Sequence, residues 1–128
     1  MTEGLHAALT DICGRLNSLK IRFIPLVHVP SNVQLDLVIG MSGFEHDIVE
    51  RADPMHLNDL ELHVATAEDL ILLKLIADRP QDHHDIRGML DVQGEGLDWY
   101  YCHQVASQLQ EAVGIDLLEK ISSMRNDV

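Results

Sequence analysis

At 128 residues, 46% of them hydrophobic and 23% charged, the chain has the size and apolar content of one domain, 1–128, with an ordinary globular core. A formal charge of −12 argues against binding nucleic acid by bulk electrostatics, although a nucleotide whose charge a metal ion carries stays open. No apolar run approaches the ~18 residues needed to cross a membrane, and MTEGLHAAL is no signal peptide, so the expectation is a cytoplasmic protein with no membrane partner.

Residues 3–19 read as an amphipathic helix, with Leu5, Ala8, Leu9, Ile12, Cys13, Leu16 and Leu19 on one face. IRFIPLVHV (21–29) reads as a strand, but Pro25 lacks the N–H that a central ladder needs, which makes it an edge or bulged strand. Pro30, Ser31 and Asn32 form a turn, so VQLDLVIG (33–40) is expected to pair back as a hairpin. That second run suits a strand covered on both faces, where the carboxylate of Asp36 would be costly unless something satisfied it. FEHDIVERA (44–52) reads as a short helix and ELHVA (61–65) as a third strand.

From Thr66 onward the pattern is helical. Thr66 and Asp69 form a capping-box-like start to LILLKLIA, and Pro80 interrupts before a helix with Ile86, Met89 and Leu90 on one face. GEG (94–96) is a break. Asp98 caps the next helix, whose core side is Cys102, Val105, Ala106, Leu109 and Val113. Asp116 and Glu119 start a last helix using Leu117, Leu118, Ile121 and Met124. Cys13 and Cys102 read as reduced core thiols. The fold class is α+β: a helix and a small mixed or antiparallel sheet of about three strands in 1–65, then a helical part in 66–128.

Lys74 stands in a helix that is apolar almost all round, so it must reach water along its stem, pair with a carboxylate or meet an anionic ligand. Arg79, Asp82 and Asp85 follow across Pro80, where Arg79 and Asp82 can bridge locally. Taken as ordered blocks, LDLVIG (35–40), GFEHDIVERA (43–52) and TAEDLILLKLIADRPQDHHDI (66–86) resemble the nucleotidyltransferase-fold proteins of the AbiEii kind, a toxin-related family. The resemblance covers roughly residues 20–120. It implies transfer of a nucleotidyl group from a nucleoside triphosphate, with divalent cations held by carboxylates. On that resemblance Asp36 is the third metal-binding carboxylate, Lys74 and Arg79 are the nucleotide- and phosphate-binding cations, and Asp82 and Asp85 are supporting acids.

The sequence departs from the family's pattern in one respect. No Gly-Ser turn followed by Asp-x-Asp precedes Asp36; the carboxylates upstream are Glu3 and Asp11, on the first helix. Asp59-Leu60-Glu61 has acidic-x-acidic spacing but lies where the last strand begins. One carboxylate cannot hold two hard cations. The expectation is therefore a truncated, degenerate nucleotidyltransferase-like domain, non-catalytic alone, that acts as a binding or assembly module. It would have no certain cofactor, with Mg2+ only if a nucleotide is bound. Its expected partner is a second copy, through a sheet edge or the Trp99-Tyr100-Tyr101 aromatic patch. One alternative is a nucleotidyltransferase completed by another chain. A second is a histidine-based metal module using His83 and His84 beside Asp82 and Asp85, with His46 and His103 approaching.

Overall fold

The computed structural model describes Ala7, Asp11, residues 23–40 and residues 42–127. The fold is α+β: among the described residues, five α-helices accompany four strands arranged as two separate antiparallel hairpins. Two compact units make up the chain, Met1–His46 and Asp47–Val128.

In the first unit, Ala7 and Asp11 are helical, while the apolar face expected for that helix, Cys13 included, lies outside the described residues. β1 (Phe23–His28) pairs with β2 (Val33–Val38), placing Leu26 opposite Leu35 and Pro25 opposite Asp36. The turn between them carries Asn32 in the left-handed region (φ 54), and the Ser31 N–H donates to the His28 carbonyl at 3.2 Å. The expectation of a strand covered on both faces is corrected here. Val33, Leu35 and Val38 keep 57–58% of their surface exposed, and Asp36 is exposed too, so its carboxylate meets water. A continuous apolar run marks a strand that can be covered, and carries no information on whether a layer covers it.

α1 (Gly43–Arg51) begins with a reciprocal capping box, Glu45 N–H to Ser42 Oγ at 3.1 Å and Ser42 N–H to Glu45 Oε2 at 2.8 Å. A Cβ at Gly40 would come within 3.0 Å of the Glu45 Cβ, a close approach that glycine avoids.

The second unit holds β3 (Asp53–Leu57) and β4 (Leu60–Val64), paired with Met55 opposite Leu62 and joined through Asn58 (φ 55) and Asp59. This corrects the expected single sheet of three strands: ELHVA pairs with DPMHL, a strand that Asp53-Pro54 disguised as a break. Strand alternation puts Met55, Leu57, Leu60, Leu62 and Val64 on one face, with Asp53 at its far end opposite Val64, and Pro54, His56, Glu61 and His63 on the other. Every residue of both strands is exposed.

Four helices complete this unit: α2 (Ala67–Ala77), α3 (Pro80–Gln93), α4 (Trp99–Val113) and α5 (Leu117–Asn126). α2 packs against the other three, which explains its apolar sides all round. Ile71 and Leu72 have no exposed surface, and the core around them includes Ile86, Cys102, Ala106, Leu117 and Ile121. The ends are closed by local chemistry. Asp98 and Asp116 accept from the Tyr101 and Glu119 N–H groups at 2.9 and 3.0 Å, and Gly114 ends α4 at φ 74. At the start of α2, Thr66 Oγ1 accepts from the Asp69 N–H at 3.2 Å, as a cap should. The other half of the expected box is corrected, because the Asp69 carboxylate is bound elsewhere. Among the described residues, no helix is long and apolar enough to cross a membrane.

Candidate functional site

The turn between α2 and α3 builds a group of four charged side chains. Asp78 leaves α2 in the left-handed region (φ 54), its N–H bonded to the Lys74 carbonyl at 2.9 Å, and Pro80 restarts the helix two residues on. This reversal carries α3 back along α2 and brings Asp82 and Asp85 to Lys74. Lys74 Nζ donates to Asp85 Oδ2 at 2.7 Å and lies 3.6 Å from Asp82 Oδ1. Arg79 grips Asp82 with two parallel bonds, Nε to Oδ2 at 2.7 Å and Nη2 to Oδ1 at 3.1 Å, and its backbone N–H adds a third at 3.1 Å. Gln81 Nε2 donates to Asp85 Oδ1 at 2.8 Å.

Asp82 is buried at 1% exposure, yet the Arg79 bonds hold its carboxyl down at about 2, against desolvation that would raise it. Asp85 is also lowered, first by the Lys74 bond and then by Gln81. Beside the cluster, Asp78 Oδ1 lies 2.8 Å from His83 Nε2 and 3.0 Å from Lys120 Nζ, which ties α5 to the same turn and lowers the Asp78 carboxyl. Four of the five residues singled out from the sequence thus meet at one place. The fifth, Asp36, stands on the exposed β2 ribbon of the first unit.

A second buried group was not read from the sequence. Asp69, with no exposed surface, accepts from the Tyr101 hydroxyl and from Arg51 Nε at 3.2 Å. The Arg51 guanidinium lies 3.7 Å over the centre of the Tyr101 ring. Burial and the adjacent carboxylate push the Tyr101 phenol up, so it stays a hydrogen-bond donor. Cys102, fully buried nearby, has its thiol pushed up to about 12 by burial, which makes it an inert core residue, as the sequence indicates. Asp69 is spaced from its partners by 18 and 32 residues, and the only local signal was an aspartate where a box has glutamate or glutamine. Of the aromatic run, Trp99 donates to the Gly94 carbonyl at 3.1 Å, Tyr101 is half-buried and Tyr100 is 76% exposed.

Two grooves of the second unit are large enough for a small molecule, about 1170 and 700 Å³. Neither is lined by Lys74 or Arg79. The larger has Arg87 among five carboxylates, Asp53, Glu68, Asp91, Glu95 and Asp127, and the smaller has no lysine or arginine. A triphosphate would meet mostly like charge there.

The resemblance implies a divalent cation, and the residues do not fit one. All four oxygens of Asp82 and Asp85 already accept from Lys74, Arg79 or Gln81, while Asp36 is a single exposed carboxylate; a hard cation needs several free oxygens. Among the described residues, no three His, Cys, Asp or Glu side chains are gathered for a metal. The chain matches no protein-family model and no curated protein sequence.

Proposed function

We propose that the chain is a nucleotidyltransferase-like module that is non-catalytic by itself and acts by binding and assembly. The observation that carries this reading is the closed charge balance around Lys74: the cations suited to a triphosphate are engaged by Asp82 and Asp85, at 2.7 Å for both Lys74–Asp85 and Arg79–Asp82. Freeing Lys74 for a phosphate would break its 2.7 Å bond to Asp85 and draw a second cation away from Asp82, which is 1% exposed and would keep Arg79 alone. The order of the blocks around Asp36 and residues 66–86 supports the family part of the reading, and the engagement of both Lys74 and Arg79 by carboxylates supports the non-catalytic part.

Calorimetric unfolding with magnesium or manganese plus each nucleoside triphosphate tests it. A ligand that binds only the folded state raises the midpoint, by about 2.7 kcal/mol of stability at a hundredfold excess over its dissociation constant. The expected result is an unchanged midpoint. A rise that needs metal and nucleotide together overturns the closed charge balance around Lys74 on which the reading stands.

A further inference from the structure

β4 has an open outer edge, and its sequence is complementary to itself. Among the described residues its only ladder is with β3. Leu57 and Leu60 flank the two-residue loop and form the pair that exchanges hydrogen bonds, and bonded and non-bonded pairs alternate along an antiparallel ladder. The outward-facing N–H and C=O groups of β4 are therefore those of Glu61 and His63. On β3 the outward positions are Pro54 and His56, and Pro54 has no N–H to offer. One edge of the hairpin is blunted by proline. The other carries a full set of donors and acceptors, with neither proline nor lysine to guard it.

We propose that β4 is the seam of a two-fold homodimer, pairing antiparallel with β4 of a second copy about Leu62. This names the partner of the assembly module and rests on that reading for its role only, since the dimer itself is tested separately from nucleotide binding. An isologous contact requires each residue to meet its counterpart in both directions. Pairing about Leu62 sets Glu61 opposite the partner's His63, and His63 opposite the partner's Glu61. These are the residues whose backbone groups point outward, so each facing pair exchanges two backbone hydrogen bonds. An acid then faces an imidazole twice on the polar face. Glu61 already lies 3.4 Å from His63 and 3.9 Å from His56 within one chain, so its carboxylate is aimed along this face. On the opposite face Leu62 meets the partner's Leu62, and Leu60 meets the partner's Val64. The apolar faces of the two hairpins become one continuous face. Leu60, Leu62 and Val64 keep 53, 43 and 40% exposure in the single chain. Two strands alone are marginal, whereas the pairing makes a four-stranded sheet with β3 on each outside.

Sedimentation of the full chain over a range of concentrations tests the proposal. Each copy carries −12, so the experiment is run at ~0.15 M salt, where repulsion is screened beyond about 8 Å. The expected result is a mass rising to twice that of one chain. His63→Glu places like charges opposite each other twice and is expected to raise the dimer dissociation constant about tenfold or more. The swapped double variant Glu61→His/His63→Glu restores the facing pairs and is expected to restore the dimer. Circular dichroism checks that each variant keeps its fold, and both positions are exposed. Hydrogen exchange supplies a second readout: the Glu61 and His63 amides are expected to slow as concentration rises, while that of His56 stays fast. A wild type that stays monomeric, a dimer indifferent to His63→Glu, or a swap that fails to restore association each overturns the proposal.

Discussion

Leu72 of α2 has no exposed surface, whereas Leu35 of β2 keeps 58% of its own. Both stand in apolar runs of similar length, and the difference lies in what the neighbouring sequence can build around them. α2 is followed by three more helices, each closed by its own caps and joined by short turns, and these surround it. A two-stranded ribbon has two faces and two edges, and alternation alone gives it nothing to lay against them. Apolar composition therefore measures a demand for cover, and the architecture decides whether the demand is met.

Removing side chains from each region sharpens this contrast. Leu72→Ala is expected to cost about 2–5 kcal/mol in urea unfolding, because a fully enclosed side chain leaves a cavity; Leu35→Ala is expected to cost under about 1 kcal/mol. Equal losses would mean that the ribbon is covered in solution and would break the comparison. Asp69→Asn tests the buried polar part of the helical unit. It removes the charge that Arg51 and the Tyr101 hydroxyl share, and is expected to cost about 1–3 kcal/mol in the same assay. Acid is expected to act on the helical unit alone. Asp82 is held at about 2 when folded, below the ~3.9 of an unfolded aspartate, so its contribution is present above pH ~4 and is lost as pH falls from about 4 toward 2. Asp78 and Asp85 are lowered in the same direction and add to the slope. Midpoints measured across that window are expected to fall less steeply in Asp82→Asn than in the wild type.

The helices were legible because their signals are local. Apolar spacing, Asp98, Asp116, Gly114 and Pro80 sit within a turn of the ends they set. The same holds for the first hairpin, whose turn residues are contiguous. β3 was hidden because Asp53-Pro54 carries the mark of a break, while its role as a strand depends on β4 across the turn. Lys74 stood out as a charge in an apolar helix, and Asp82 and Asp85 as acids after a proline. Their meeting depends on the left-handed Asp78, which has no separate signature. Asp69 was misread for the converse reason: its local position fits a cap, and the partners that claim its carboxylate are far along the chain.

Trp99 is the chain's one tryptophan, half-buried at the start of α4 with its indole N–H on the Gly94 carbonyl. Intrinsic tryptophan emission is thus a local optical probe. It reports the opening of the helical cluster at a single junction, whereas backbone dichroism averages over every helix and strand, so the two signals follow different parts of the same molecule.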